Sequence, residues 1–237
     1  MRLIFIRHGD PDYENDTLTE KGRREAALLA QRVKNWEITE IFRSPLGRAV
    51  ATSEYCLKEL GRTATTYDWL REFAMDVKSP DGTHRWIPWD YMPDYWTRLE
   101  TMYDRDHWMD ASVYDGSEIR ERYAQVAGGI DRILEKYGYR RDGRLYRTEK
   151  EGDDTTLVFF CHLGVSFVAL SHLLGIPATL LWHGFFVAPT AVTVVGCEER
   201  EPGIGMFRVQ VFGDTSHLIP GGEPISGSGY FTEPFQG

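Results

Sequence analysis

Five side chains whose types suit phosphate chemistry are spread along the 237-residue chain: Arg7, His8, Arg48, Glu72 and His162. Guanidinium groups match phosphate oxygens with paired hydrogen bonds. An imidazole nitrogen can act as a nucleophile, and a lone carboxylate among such cations is suited to proton transfer. Together these residue types indicate phosphoryl transfer that needs no metal ion.

The elements that must position these side chains are short apolar segments of the kind that form buried strands. Such segments precede the candidate residues at 3–6, 38–42, 65–69 and 157–161. Helical patterns lie between and after them, as at 19–33, 44–60 and 165–174. Because strands alternate with helices, we predict an α/β fold: a three-layer α/β/α sandwich with a mostly parallel sheet. Ligands bind beyond the carboxyl ends of parallel strands, so we expect the five side chains to meet there.

Local signals predict where several helices begin and end. Thr19 is expected to cap the first helix, and Ser44 followed by Pro45 is expected to begin the second, which Gly61 ends. Ser117 is expected to cap a long helix that carries the apolar residues Ile119, Tyr123, Val126, Ile130 and Ile133. Later strands are expected at 191–195 and 206–212, and a hairpin with Asp142-Gly143 at its turn is expected over 139–147.

Residues 78–115 differ in composition from the rest of the chain. Four of the seven tryptophans lie here: Trp86, Trp89, Trp96 and Trp108. We predict one domain over 1–237 with a partly helical insertion at about 78–115. The aromatic side chains are expected either to form the core of a small subdomain or to build a lid that contacts the leaving group of a substrate.

Composition excludes several classes of protein. The net charge of −9 argues against sequence-independent nucleic-acid binding, which needs a basic surface. The chain has an odd number of cysteines, Cys56, Cys161 and Cys197, and they form no Cys-x-x-Cys pair. This pattern favours a reducing compartment. Neither a signal-type apolar region nor a membrane-spanning run is present in the sequence, so a cytoplasmic protein is expected. Without metal-ligand spacings, we expect neither a metal ion nor another cofactor.

The order of these motifs resembles the histidine phosphatase superfamily, also called the phosphoglycerate mutase-like family. The resemblance covers 1–75 and 115–218. It is carried by Arg7-His8-Gly9, by Leu18-Thr19-Glu20-Lys21-Gly22, by Ser44-Pro45-Leu46-Gly47-Arg48-Ala49, by Glu72, by His162 at the end of a buried strand, and by residues 213–218.

The resemblance implies a role for each candidate residue. His8 would take the phosphoryl group, and its other ring nitrogen is expected to donate to a backbone acceptor. Arg7, Arg48 and His162 would clamp the phosphate; His162 would serve best as imidazolium, which the two arginines oppose unless an anion is bound. Glu72 would protonate the leaving oxygen and then activate water. Further candidates for substrate contact are Asp12, Tyr13 and Asn15, in the loop after Arg-His-Gly, and His217, in the stretch 213–218.

Two departures from the family pattern favour a phosphatase over a mutase. Glu72 is not followed by the Glu-x-x-Tyr-Gly sequence typical of mutases, and the loop after Arg-His-Gly is short. Leu163 also intervenes between His162 and Gly164. We therefore predict a metal-independent phosphomonoesterase that acts on a small phosphorylated metabolite, with neither nucleic acid nor membrane as partner. A phosphoglycerate mutase-type phosphotransferase and a non-catalytic module that binds a phosphorylated ligand stay open, as does the oligomeric state.

Overall fold

The structure is a computed structural model that describes residues 1–149 and 152–236. In these residues the strands are β1 Arg2–Arg7, β2 Pro11–Asp12, β3 Thr17–Leu18, β4 Glu40–Arg43, β5 Thr65–Thr66, β6 Val77–Lys78, β7 His84–Arg85, β8 Tyr139–Asp142, β9 Leu145–Thr148, β10 Thr156–Cys161, β11 Val192–Glu201 and β12 Ile204–Asp214. The helices are α1 Glu20–Val33, α2 Gly47–Leu60, α3 Pro93–Trp96, α4 Ile119–Lys136, α5 Leu163–Leu174 and α6 Ala178–Gly184.

The central sheet is mixed, so the prediction of a mostly parallel sheet is only partly right. Within the described residues the sheet has eight strands in the order β5-β4-β10-β1-β11-β12-β9-β8. The first four are parallel to one another, whereas β11, β12, β9 and β8 are added antiparallel. The antiparallel half is built from hairpins, which need no helical crossover. The parallel half is therefore the part that places strand ends along one edge.

Helices cover both faces of this sheet, as the predicted three-layer arrangement requires. Leu3 and Phe5 of β1 belong to the buried cluster on the side of α4, α5 and α6. Ile4 and Ile6 belong to the cluster on the side of α1 and α2. Because successive side chains of a strand point to opposite faces, the continuous apolar run of β1 contributes to both cores.

The predicted helix boundaries are correct at some ends and wrong at others. Thr19 caps α1, accepting from Gly22 N at 3.0 Å, and Gly61 ends α2 with φ +62°. Ser44 does not cap α2, which begins at Gly47 after an extended Leu46. Ser117 does not cap α4 either: Glu118 occupies that position, and the Ser117 hydroxyl donates to the Tyr114 carbonyl at 2.7 Å.

Two predicted β segments differ in outcome. The segment 65–69 is a strand only at Thr65–Thr66, and a 3₁₀ turn over Asp68–Leu70 follows it. The hairpin around Asp142-Gly143 is confirmed, since β8 and β9 pair antiparallel and Gly143 has φ +57°. A tight hairpin turn of this kind favours a glycine at a positive φ.

The aromatic insertion packs onto the main core. Trp89, Met102 and Trp108 lie in the same buried cluster as Leu3 and Phe5 of the central strand. Its regular structure is limited to β6, β7, α3 and three 3₁₀ turns, at Glu100–Tyr103, Trp108–Asp110 and Ser112–Tyr114. The burial of large rings, rather than backbone regularity, therefore fixes this segment against α5 and α6.

The C-terminal tail, residues 222–236, runs back over the beginning of the chain. Glu223 forms ion pairs with Lys21 and Arg24 of α1. Ser226 donates a hydrogen bond to Asp10. Further along, a Cβ added at Gly229 would lie 3.3 Å from Arg7 Nη2, so the tail passes next to the first candidate residue. None of the helices in the described part of the chain combines the length and hydropathy of a bilayer-spanning segment.

Candidate active site

The two candidate histidines lie side by side at the carboxyl ends of neighbouring parallel strands. Arg7 of β1 is paired with Cys161 of β10, and His8 N donates to the Cys161 carbonyl at 3.0 Å. The residues that follow, His8 and His162, therefore meet: their ring centroids are 5.1 Å apart, with ring planes at 57°. Both are buried, with 2% of His8 and 0% of His162 exposed.

One ring nitrogen of His8 is committed to the backbone. His8 Nδ1 lies 2.8 Å from the Gly9 carbonyl, which can only accept, so Nδ1 carries the hydrogen. Burial, followed by the charges of Arg7 and Arg48, holds the pKa of His8 well below its ordinary value of 6.5. The ring is therefore neutral, with the lone pair on Nε2, and the backbone acceptor predicted from the sequence is present.

His162 is held by a residue that sequence reasoning assigned to a helix cap. Its Nε2 lies 2.7 Å from Ser44 Oγ, and its buried Nδ1 has no hydrogen-bond partner in the described structure. Ser44 is fixed at the end of β4, where its N–H donates to the Phe160 carbonyl at 2.9 Å. Burial, followed by neighbouring His8 and Arg48, holds the pKa of His162 well below 6.5. The ring is thus neutral among the arginines, as the sequence analysis anticipated for the site without an anion.

Arg7 and Arg48 both retain donor capacity. Arg7 Nη1 donates to the Val187 carbonyl at 2.8 Å, and Arg48 Nη1 donates to Asp16 Oδ1 at 2.6 Å. The Nε atom of each guanidinium is buried without a partner in the described residues. Buried donors without partners cost stability unless something accepts from them. Both guanidiniums also line the cavity, and their N–H groups suit an oxyanion with several acceptor oxygens.

Asp16 and Tyr13 orient Arg48 from the loop after Arg-His-Gly. The Asp16 carboxylate accepts both from Arg48 and from Gly47 N at 2.6 Å, at the start of α2. Asp16 has φ +46°, a left-handed conformation that aspartate tolerates better than most residues. The Arg48 guanidinium carbon also lies 5.4 Å from the centre of the Tyr13 ring.

Glu72 is docked against the first turn of α5. Its Oε1 accepts from Phe73 N at 2.8 Å and from Val165 N at 3.0 Å, and its Oε2 lies 3.3 Å from Gly164 N. A Cβ at position 164 would lie 2.7 Å from Glu72 Oε1 and 2.4 Å from the Trp89 ring. A glycine is therefore required at position 164 for the carboxylate to reach the helix.

His217 contacts Thr190, whose backbone in turn binds the carbonyls of Arg7 and His8. Thr190 has φ +58°, a strained conformation for a β-branched residue, and its N–H is shared between the carbonyls of Arg7 at 3.1 Å and His8 at 3.2 Å. His217 Nε2 lies 3.0 Å from Thr190 Oγ1, which itself donates to the Pro189 carbonyl, so the imidazole is the donor. Burial and then Arg32 lower the pKa of His217 to about 4.

Of the further substrate-contact candidates, the structure brings Tyr13 to the cavity wall but not Asp12, Asn15 or His217. His217 is buried against Thr190, and the exposed Asn15 donates to Asp12 Oδ2 at 2.9 Å. The short polar side chains of Asp12 and Asn15 bind each other within their own turn, whereas the Tyr13 ring contacts Arg48 at the cavity wall.

A cavity of about 1590 Å³ opens at this edge of the sheet, with Arg7, Arg48 and Glu72 in its wall. Much of the remaining wall is aromatic and comes from the insertion, the end of α6 and the C-terminal tail: Trp86, Trp89, Tyr91, Trp96, Trp182, Phe185, Phe186, Tyr230 and Phe231. Over residues 1–149 and 152–236, no group of three or more His, Cys, Asp or Glu side chains is arranged to hold a metal ion.

Sequence reasoning missed several residues that position this site. Ser44 was assigned to the wrong role, and Asp16, Thr52 and Thr190 were not singled out. Thr52 Oγ1 accepts from Gly9 N at 2.9 Å and donates to the Arg48 carbonyl at 2.8 Å, so it joins the two arginine motifs. Its position one helical turn after Arg48 was a signal that could have found it. Thr190 gives no comparable signal, because its backbone conformation is imposed by tertiary contacts.

Two imidazoles and the Arg7 guanidinium lie at the ends of parallel strands, and Arg48 lies on α2; groups of these types suit an oxyanion. Comparison with known proteins identifies the family. Residues 3–209 match the model of the histidine phosphatase superfamily (branch 1). This match spans most of the chain, and the protein belongs to that superfamily.

Curated relatives match over a shorter stretch. A probable phosphoglycerate mutase GpmB of Photorhabdus laumondii is 35% identical over 86 residues, which is 32% of this chain and 40% of that protein. A probable phosphoglycerate mutase GpmB of Yersinia pestis is 36% identical over the same length and with the same coverage. The match thus spans well under half the length of these relatives.

Solved structures with this fold cover nearly the whole chain. A mycobacterial glucosyl-3-phosphoglycerate phosphatase aligns with a TM-score of 0.61 and 19% identity, over 90% of this chain and 98% of that one. A phosphoserine phosphatase of Entamoeba histolytica aligns with a TM-score of 0.59 and 18% identity, over 92% and 98%. The α-ribazole phosphatase of Shigella flexneri aligns with a TM-score of 0.58 and 19% identity, over 91% of this chain and 97% of that one. At these identities the alignments show a shared fold.

Proposed function

We propose that this protein is a metal-independent phosphomonoesterase that works through a phosphohistidine on His8. The observation that carries this proposal is a neutral His8, fixed through Nδ1 to the Gly9 carbonyl and 5.1 Å from the His162 ring. A neutral imidazole with a free Nε2 is a nucleophile, whereas an imidazolium is not. The substrate class is a small phosphorylated metabolite.

The first half-reaction forms a bond between His8 Nε2 and phosphorus while the bond from phosphorus to the leaving oxygen breaks. Glu72 gives the leaving oxygen its proton, so the alcohol departs neutral. In the second half-reaction a water oxygen attacks phosphorus, the phosphorus–nitrogen bond breaks, and Glu72 takes the proton of the water. Inorganic phosphate is released, and His8 returns to its neutral form.

Arg7, Arg48 and His162 stabilise the transferring group in this mechanism. The charge of a phosphoryl group spreads over its equatorial oxygens during transfer, and preorganised donors at those oxygens lower the barrier. The guanidiniums of Arg7 and Arg48 line the cavity and supply such donors. A bound dianion offsets the positive charges around His162, so substrate binding raises the pKa of His162 and favours imidazolium.

A phosphoglycerate mutase-type phosphotransferase is the second candidate, because the curated relatives carry that name. The two candidates differ in the fate of the phosphoryl group. Two observations support the phosphatase: the phosphatase structures that share the fold, and the short loop after Arg-His-Gly. The free thiols of Cys56, Cys161 and Cys197 support a reducing, cytoplasmic setting.

The test is to supply the purified protein separately with p-nitrophenyl phosphate, 2-phosphoglycerate and 3-phosphoglycerate. We expect inorganic phosphate to be released from at least the aryl ester, with EDTA present, and no interconversion of the two phosphoglycerates. Interconversion that outpaces phosphate release would replace the proposal by the mutase. Binding of inorganic phosphate with no turnover of any ester would instead show a phospho-ligand binding module.

A further inference from the structure

Exposed apolar side chains are concentrated around the mouth of the cavity. Six of the eleven large apolar side chains that are exposed in the described structure line it: Tyr13, Trp86, Met92, Phe185, Tyr230 and Phe231. Scattered exposed apolar residues need no explanation, but a contiguous group around a cavity marks a binding surface. Trp86 is 73% exposed and Phe231 is 84% exposed, so neither contributes much to the core.

Several rings of the cavity wall, including Tyr230 of this exposed group, are fixed by their neighbours. Trp96 stacks on His183 with centroids 4.6 Å apart, and Tyr230 stacks on Phe186 at 4.5 Å. Trp89 packs against Trp182 at 5.6 Å. The cavity wall is therefore a set of preorganised aromatic faces, while the rings at its mouth have exposed surface left to cover.

The size of the cavity exceeds what a small phosphorylated acid would fill. Its volume of about 1590 Å³ is above the range of roughly 300–1,000 Å³ that is usual for small-molecule sites. Apart from Arg7, Arg48 and Glu72, the charged side chains that line the cavity are of mixed sign, with Arg71 and Arg122 alongside Asp76, Asp90 and Glu118. Apolar surface, rather than charge of one sign, therefore distinguishes the leaving-group end.

From these observations we infer that the leaving alcohol of the substrate carries a large, apolar and planar group that stacks between the insertion and the C-terminal tail. This inference rests on the proposed phosphomonoesterase and names its substrate class. Aromatic faces favour a planar partner, because offset stacking adds to the gain from burying apolar area. The phosphoryl group would then lie at Arg7 and Arg48, and the planar group at Trp86 and Phe231.

The test compares 2-(2-naphthyl)ethyl phosphate with ethyl phosphate. Both esters have a primary alkoxide leaving group, so the two differ in the planar group rather than in chemical reactivity. We expect kcat/KM to be at least about 30-fold higher for the naphthyl ester, since burial of a bicyclic ring removes a large apolar area from water. In Trp86→Ala and in Phe231→Ala we expect this ratio to fall by about 5- to 10-fold.

Phe235→Ala is the matched control. Phe235 lies four residues after Phe231 on the same tail and is 88% exposed, but it is outside the cavity wall. This variant is expected to keep the wild-type kcat/KM for both esters. Circular dichroism and thermal melting of all three variants check that they fold.

The outcomes separate this inference from the proposed function. If both esters are hydrolysed with nearly equal kcat/KM, the inferred substrate class is overturned and the proposed phosphatase is unaffected. The same conclusion follows if Trp86→Ala and Phe231→Ala keep the wild-type ratio of kcat/KM between the two esters. Failure to release phosphate from either ester, without a phosphohistidine on His8, would overturn the proposed function and this inference with it. A ratio that falls equally in Phe235→Ala would also contradict the assignment of Phe231.

Discussion

The two ends of the cavity are built in opposite ways. At the phosphate end, His8, Arg7 and Glu72 are all tied to backbone groups, and the histidines are almost fully buried. At the mouth, exposed rings such as Trp86 and Phe231 come from an insertion and a tail rather than from the sheet. The comparison indicates that the sheet fixes the chemistry, whereas segments added around it select the leaving group.

The largest expected effect comes from removing the proposed nucleophile. His8→Ala should lower kcat for an aryl phosphate by about 10⁴-fold or more, because the covalent route is lost. His107→Ala, a change at an exposed histidine paired with Asp104, should leave kcat unchanged. Phosphate release is the measurement, and more than a tenth of the wild-type rate in His8→Ala would rule out the mechanism.

Removing one arm of the phosphate clamp should have the next largest effect. Arg48→Ala is expected to reduce kcat/KM by about 10²- to 10³-fold, the range found when one transition-state donor is lost. The control is Arg208→Ala, whose guanidinium pairs with Glu198 on the surface at 3.2 Å. Equal loss for both variants would show that the effect is not specific to the site.

The pH dependence distinguishes a buried His8 from an exposed one. Burial and the two arginines lower the pKa of His8 well below 6.5, so the ring stays unprotonated as the pH falls through 6.5. The acid limb of kcat/KM that belongs to the free enzyme should therefore lie below pH 6.5. The profile is measured with an ester whose own phosphate titration is determined separately. If the acid limb that belongs to the enzyme has its midpoint at or above pH 6.5, the buried, neutral nucleophile is contradicted.

A smaller effect is expected where a side chain acts through the backbone. His217→Ala removes a buried hydrogen bond to Thr190, whose N–H holds the Arg7 and His8 carbonyls. We expect a loss of about 1–3 kcal/mol in the free energy of unfolding, measured by urea denaturation. Activity should fall by less than in Arg48→Ala, because no group that touches the phosphate is removed. A loss of activity as large as that of Arg48→Ala would instead place His217 in the site.

The sequence was sufficient to predict that His8 and His162 lie side by side. Strand β1 ends directly before His8, and strand β10 ends directly before His162. The parallel pairing of β1 with β10 brings the two histidines together. The helix cap at Thr19 followed from a local rule, and the backbone acceptor for His8 followed from the nucleophile role that the family resemblance implies. These features depend on short stretches of chain and on one topological rule, and both can be applied without knowing distant contacts.

Other features depend on pairings that no local pattern specifies. The antiparallel half of the sheet requires β11 to return beside β1, and nothing within 191–195 determines that partner. The same holds for Ser44, which local rules assigned to a cap but which the fold uses to bind His162. The passage of the tail past Arg7 is set by ion pairs of Glu223 with α1, more than 190 residues away along the chain.

The most direct test of the account is to trap the intermediate. The protein is mixed with an aryl ester labelled with ³²P, quenched with strong base or denaturant after milliseconds, and digested for peptide mapping. We predict a phosphate that is stable in base and labile in acid, located on the peptide that contains His8 and absent from His8→Ala. A labelled serine or threonine, a label retained in His8→Ala, or turnover with no labelled protein at any time would contradict the account.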